Sequence, residues 1–193
     1  MRVHRHKAAV GFSLSAIAVL SFATVPVGAS FRQTWSAIGT VGIADAASDA
    51  LLTRSDTGSV FIKSSVASAT VHLRYPVVPV GDMTKTTDEE GGAWGLRVVM
   101  RDTGATARVV VSLKSVNVST GAVTTYATID SNLNPDFGTQ YFTGEQMLMN
   151  PDGTIMSSFF TYTEAYYVDV VMTKTASSGN PGVKIVQIFN ENS

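Results

Sequence analysis

The sequence predicts an all-β domain, an antiparallel, jelly-roll-like β-sandwich of about eight or nine strands. Three observations carry that prediction. From Trp94 to Asp130 the side chains alternate with a period of two. Trp94, Leu96, Val98 and Met100 oppose Arg97 and Arg101, and Ala107, Val109, Val111 and Leu113 then oppose Arg108, Ser112 and Lys114. Asp102-Thr103-Gly104 and Ser119-Thr120-Gly121 separate these runs from each other and from Val123, Thr125, Ala127 and Ile129, so the stretch reads as a meander. Short runs of the same kind recur along the chain at the spacing of a sandwich, with a flattened barrel as the next closest architecture.

Composition narrows the function. The chain has 193 residues, no cysteine and a formal net charge of −1. Disulfides, thiolate metal sites, thiol nucleophiles and lipid-bearing cysteines are therefore excluded. Arg2, Arg5 and Lys7 sit at the extreme N-terminus and no Lys/Arg cluster follows them. The basic stripe that nucleic-acid binding needs is missing.

The first segment reads as an export signal over residues 1–29. Met1 to Lys7 is a positive n-region, Ala8 to Val25 is apolar, and Val27-Gly28-Ala29 supplies small residues before cleavage at Ser30. An uncleaved anchor is the alternative, weakened by Ser21, Pro26 and Gly28. No later run is long and apolar enough for a membrane helix. The expectation is a secreted protein, periplasmic or extracellular, without stable membrane insertion after cleavage.

Residues 30–57 form an N-terminal segment of uncertain structure. Trp35 and Ile38 fit a first strand, while Ile43 to Leu52 fits either a short, uncapped helix or a strand. The sandwich domain is expected over 58–193. After the turn Ser55-Asp56-Thr57-Gly58, Ser59 to Lys63 reads as a short strand. Ala67 to Tyr75 alternates well, and Pro76 and Pro79 end its ladder or place Val77 to Val80 at a sheet edge. Gln140 to Met149 and Ile155 to Tyr162 read as a hairpin across Asn150-Pro151-Asp152-Gly153. Tyr166 to Thr175 and Val183 to Phe189 read as a last hairpin. The run VKIVQIF is apolar on both faces, which suits a central or doubly covered strand.

The run LRVVMRDTGATARVVVSLKSVNVSTGAVTTYATIDSN, with AYYVDVVMTKTASSGNPGVKIVQI after it, resembles a pattern of secreted bacterial all-β proteins. Its landmarks are Arg101-Asp102, Gly104, Ala107-Arg108-Val109, Thr120-Gly121, Asp130-Ser131-Asn132, Tyr166-Tyr167 and Asn180-Pro181-Gly182. The resemblance implies the fold and export, and no activity comes with it.

Four constellations are candidates for chemistry. Asp130, Asn132, Asn134 and Asp136 offer oxygens at alternate positions, the beginning of a calcium loop. Pro135 stands where an EF-hand has glycine and Tyr141 where it has its bidentate glutamate, which leaves a looser calcium site against plain Asx-turn chemistry. Asp82 and Asp88-Glu89-Glu90 could pair carboxylates as glycosidases do, although a glycine-flanked acidic loop suits a solvated tip better. His72, the sole histidine after the leader, alternates with Val71 and Leu73; without cysteine it could build a zinc site only with carboxylates, and no G-x-S-x-G motif accompanies it for a triad, so a surface strand histidine is the simpler reading. Among Phe159, Phe160, Tyr162, Tyr166 and Tyr167, alternation sends some rings out of the core, where they can stack on sugars or anchor a partner. Asn117-Val118-Ser119 reads as a turn and not a glycosylation site.

These features favour a secreted, non-catalytic binding module, with Tyr162, Tyr166 and Tyr167 as ligand-binding residues and a glycan or envelope component as the partner. The alternative is a structural, self-associating surface protein, on the strength of low charge and open sheet edges. A hydrolytic enzyme comes third.

Overall fold

The computed structural model describes residues 34–79, 83, 93–133, 138–159 and 162–190, with 138 and 139 described in backbone only. The expected signal segment, the Asp82 and Asp88-Glu89-Glu90 acidic loop, Asn134, Asp136 and Phe160 lie outside these residues.

Among the described residues ten strands build two antiparallel sheets. They are β1 (Trp35–Ile38), β2 (Leu52–Arg54), β3 (Val60–Ile62), β4 (Ala69–Val77), β5 (Trp94–Asp102), β6 (Ala107–Asn117), β7 (Val123–Asp130), β8 (Gly138–Met147), β9 (Glu164–Lys174) and β10 (Gly182–Asn190). The six-stranded sheet runs β2-β3-β10-β5-β8, with β1 also on β10; the four-stranded sheet runs β4-β9-β6-β7. The order β3-β10-β5-β8 against β4-β9-β6-β7 is that of a jelly roll. The fold class read from the sequence holds.

The connections differ from those expected. Among the described residues, β2–β3 and β6–β7 are the hairpins between strands adjacent in sequence. β5 belongs to the six-stranded sheet and β6 to the other, so the meander is half a hairpin and half a crossover. The expected last hairpin, β9 to β10, is also a crossover, and the hairpin expected around Asn150–Gly153 reduces to one bridge, Met149↔Ile155.

A polar corner explains the first two differences. Asp102 is fully buried, and its Oδ1 accepts from the Gly104 N–H at 2.9 Å. Its Oδ2 accepts from the Ser131 hydroxyl at 2.5 Å, while Ser131 Oγ accepts from the Val109 N–H at 2.9 Å. Gly104 holds φ at +89°, which a residue with a side chain rarely adopts. The two crossovers also bond each other. The Asn180 N–H donates to Thr103 Oγ1 at 2.8 Å, and the Thr175 N–H donates to the Thr106 carbonyl at 2.9 Å. Backbone groups that a hairpin ladder would satisfy are satisfied here between corners.

Inside, alternation does what the sequence demands. Leu96, Val98 and Met100 of β5 face Val109, Val111 and Leu113 of β6 and Val168, Val170 and Met172 of β9, all of them fully buried. Burial of each such side chain contributes roughly 1.5–3 kcal/mol. β10 is central in its sheet, as its two apolar faces predicted, and Val186 and Ile188 enter the core. β4 is an edge strand and carries Pro76 opposite Tyr167, where a missing N–H costs least.

Residues 35–54 belong to the sandwich. β1 pairs with β10 and β2 with β3, and between them lies α1 (Ala46–Leu51). This helix is capped after all: Asp45 accepts from the Ser48 N–H at 2.7 Å. That bond holds the Asp45 carboxyl below its ordinary value. No helix among the described residues is long and apolar enough to cross a membrane.

Candidate functional site

The outer face of the six-stranded sheet carries a close set of groups capable of recognition. The parity that sends Leu96, Val98 and Met100 inward sends Gly95, Arg97, Val99 and Arg101 outward. Arg97 lies opposite Glu145 of β8 on one side and Gln187 of β10 on the other. Its Nε donates to Glu145 Oε1 at 2.5 Å and its Nη1 to Gln187 Oε1 at 3.3 Å. The guanidinium carbon sits 4.5 Å from the centroid of the Phe189 ring. That ring is there because β5 has glycine at the paired position. A Cβ on Gly95 would come within 2.4 Å of it. Aromatic, guanidinium, carboxylate and amide thus border one open hollow of about 440 Å³, closed at its end by Thr34 and Asn190.

Four residues along β5, roughly 13 Å at strand rise, the arrangement recurs. Arg101 lies 5.6 Å from the Phe61 ring and 5.3 Å from the Tyr141 ring, and the Lys184 ammonium lies 5.8 Å from Tyr141. Gly182 sits close beside this station: a Cβ there would meet the Val60 carbonyl oxygen at 3.1 Å and Phe61 Cβ at 3.3 Å.

Chemically, the first station suits a polyol. Two of the Arg97 N–H bonds are used within the protein, and the remaining donors, with the second Glu145 oxygen and the Gln187 amide, face an open hollow. Neighbouring donors and acceptors match neighbouring hydroxyls, and the stacked ring keeps the guanidinium in place.

The outer face of the four-stranded sheet is different. A groove of about 730 Å³ runs beside β4, lined by Ile43, Asp45, His72, Arg74, Pro76 and Tyr167 among others. Charge there is largely paired. Lys114 Nζ donates to Asp169 Oδ2 at 2.6 Å, Arg74 Nε lies 3.8 Å from Asp169 Oδ1, and Arg108 bonds both oxygens of Asp130 at 2.5 and 3.1 Å. The Arg108 guanidinium holds the Asp130 carboxyl below its ordinary value.

The tyrosines expected to bind ligand do not form one patch. Tyr162 is 79% exposed and Tyr167 is half-buried on the outer face, 5.8 Å from the Arg74 guanidinium. Tyr166 is a correction to that platform, because it is buried. Its parity on β9 is that of Val168 and Val170, and its ring packs at 4.8 Å from Phe159 and 5.9 Å from Tyr126. Phe159 is likewise buried, edge-on to Trp94 at 5.9 Å. His72 is exposed on β4, on the face opposite Val71 and Leu73, as expected.

Of the proposed calcium ligands, Asp130 already accepts from Arg108 and, through Oδ1, from the Asn132 N–H at 3.1 Å, an Asx turn. The Asn132 side chain is exposed. Among the described residues no group of three or more His, Asp or Glu is placed to hold a metal.

Sequence reasoning did not single out Arg97, Glu145, Gln187, Phe189, Phe61, Tyr141 or Lys184. A signal was available in β5, where two arginines four residues apart must share a face of one strand, and in VKIVQIF, whose Phe189 has the parity opposite to Ile188.

No family model and no curated protein matches this chain. Solved structures similar to it include the C-terminal CBM6 of LamC, a marine laminarinase from Zobellia galactanivorans, at 10% identity and a TM-score of 0.44, covering 81% of this chain and 98% of that one. TmCBM61, solved with β-1,4-galactotriose, is 9% identical with a TM-score of 0.37 over 83% of this chain and 90% of that one. A family two carbohydrate esterase from Cellvibrio japonicus is 13% identical with a TM-score of 0.36, and the match takes in 82% of this chain but 34% of the esterase. At such identities and TM-scores neither a ligand nor a binding residue carries over to this chain.

Proposed function

We propose that the protein is a secreted, non-catalytic glycan-binding module that holds its ligand on the outer face of the six-stranded sheet. One observation carries the reading: Arg97 lies over Phe189 and is bonded to Glu145 and Gln187 at the edge of an open hollow. A guanidinium held on a ring, with a carboxylate and an amide beside it, gives sugar hydroxyls directed partners. Titration calorimetry of the full chain against a panel of cell-wall and storage polysaccharides tests it. Saturable binding to one polymer class, lost in Arg97→Ala with the fold intact, is the expected result. Equal binding by Arg97→Ala would remove the site from this face.

A second reading places the ligand in the groove beside β4, where Tyr167 is half-buried among His72, Arg74 and Pro76. Loss of binding in Tyr167→Ala, with Arg97→Ala unaffected, would select it. The calcium loop through Asp130, Asn132, Asn134 and Asp136 is a separate proposal. Urea unfolding in calcium and in a calcium chelator tests it, since a calcium-supported loop predicts a lower unfolding midpoint without the metal and an equal midpoint would overturn it.

A further inference from the structure

The second station on the same face has a charge pattern the first lacks. Arg97 has a carboxylate beside it, Glu145. Arg101 and Lys184 flank the Tyr141 ring, and no Asp or Glu among the described residues lies within ion-pair distance of either. Arg101 Nε is buried without a hydrogen-bond partner, a position a charged donor does not hold cheaply. The rings of Phe61 and Tyr141 hold the guanidinium between them.

This pair is not an expression of overall charge, because the chain's formal net charge is −1. It is local, on the face assigned to sugar binding, and roughly 13 Å along the strand from the Arg97 station.

Resting on the glycan-binding reading, we propose that the ligand is an anionic polysaccharide whose carboxylate or sulfate group is taken by Arg101 and Lys184 while a neighbouring sugar's hydroxyls meet Arg97, Glu145 and Gln187. The two cations lie 5.3 and 5.8 Å from the centroid of one ring, which brings two positive charges to one part of this face. They are too few to track a nucleic-acid backbone, which draws on many phosphate contacts.

The test uses matched polymers: polygalacturonate against its methyl ester, dextran sulfate against dextran, and single-stranded DNA as a polyanion without this sugar pattern. The full chain should bind one acidic member at least tenfold more tightly than its uncharged counterpart, and the preference should shrink as salt is raised. Which pair shows it separates carboxylate from sulfate. Arg101→Gln and Lys184→Gln, the latter on the bulge of β10, should each lower that affinity about tenfold, the size of one charge-assisted contact, and narrow the preference over the uncharged member by the same factor. Equal affinity within each pair, with both variants like the parent, would overturn the proposal and leave the glycan reading standing. Binding to DNA as tight as to the best polysaccharide, with the same Arg101 dependence, would overturn the assignment to glycan. Failure of every polysaccharide to bind would overturn both readings together.

Discussion

The two outer faces of this sandwich start from similar raw material and end in different states. Both belong to strands whose inner residues are largely aliphatic, and both carry basic residues at alternate outward positions, Arg97 and Arg101 on β5, Arg108 and Lys114 on β6. On the four-stranded sheet the cations meet carboxylates on neighbouring strands: Lys114 and Arg74 at Asp169, Arg108 at Asp130. On the six-stranded sheet Arg97 lies on Phe189 and also pairs with Glu145, while Arg101 lies near Phe61 and Tyr141 and meets no carboxylate among the described residues. The Asp169 and Asp130 side chains are 10% and 13% exposed, whereas Glu145 is 45% exposed and open to a ligand. A ring supports the cation from beneath and leaves its in-plane donors to a ligand. One face is therefore read as structural and the other as receptive.

The largest expected departure separates the faces at once. Phe189→Ala should weaken glycan binding about thirtyfold, the scale of a hot-spot ring, whereas Tyr167→Ala should change it less than about twofold. Titration calorimetry of the two variants against one polymer decides it, and equal losses would erase the asymmetry.

Next is Gly95→Ala. The added methyl would stand 2.4 Å from the Phe189 ring, so the ring must move. We expect binding to fall about tenfold and urea unfolding to show a loss of roughly 1–3 kcal/mol from overpacking. Unchanged affinity would mean that the ring's position does not matter.

On the other face, Lys114→Met should leave binding as it is and reduce stability. The Asp169 side chain is 10% exposed and would keep only Arg74, at 3.8 Å. The cost should be roughly 1–2 kcal/mol in urea unfolding, less than for a fully buried pair because Lys114 is 26% exposed. A change in glycan affinity would show that the faces are coupled.

The smallest effect is a pH dependence. Arg108 holds the folded Asp130 carboxyl below its ordinary 3.8. A depressed folded value contributes stability that is complete above the unfolded value and is lost as pH falls through the folded one. Asp130→Asn should therefore cost less than about 1 kcal/mol near neutrality, and that difference should vanish well below pH 3.8. Urea midpoints at both ends of that window measure it; a cost that persists in acid would show that the charge of Asp130 is not its source.

Much of the fold was legible because period-two alternation is local. Leu96, Val98 and Met100 announce the buried side of β5 whatever that strand pairs with. Pairing is not local. Asp102-Thr103-Gly104 has the composition of a hairpin turn, and what makes it a crossover is Ser131, Thr175 and Asn180, groups brought in from distant parts of the chain. The same limit applied to the site. Tyr166 and Tyr167 drew notice as neighbours in sequence, yet one faces the core and the other solvent, as the parity of Val168 and Val170 already implied. The Arg97 station draws on β5, β8 and β10. Nothing within any one of those strands marks the other two as its neighbours.

The most direct measurement is amide shift mapping by NMR on the isotope-labelled full chain as the tightest-binding polysaccharide, cut to short oligomers, is titrated in. The account predicts saturating shifts at Gly95–Arg101, Tyr141–Met147 and Lys184–Phe189, with the outward residues of β4, β6 and β9 unmoved. Shifts centred instead on His72, Arg74 and Tyr167 would place the ligand on the four-stranded sheet and contradict it.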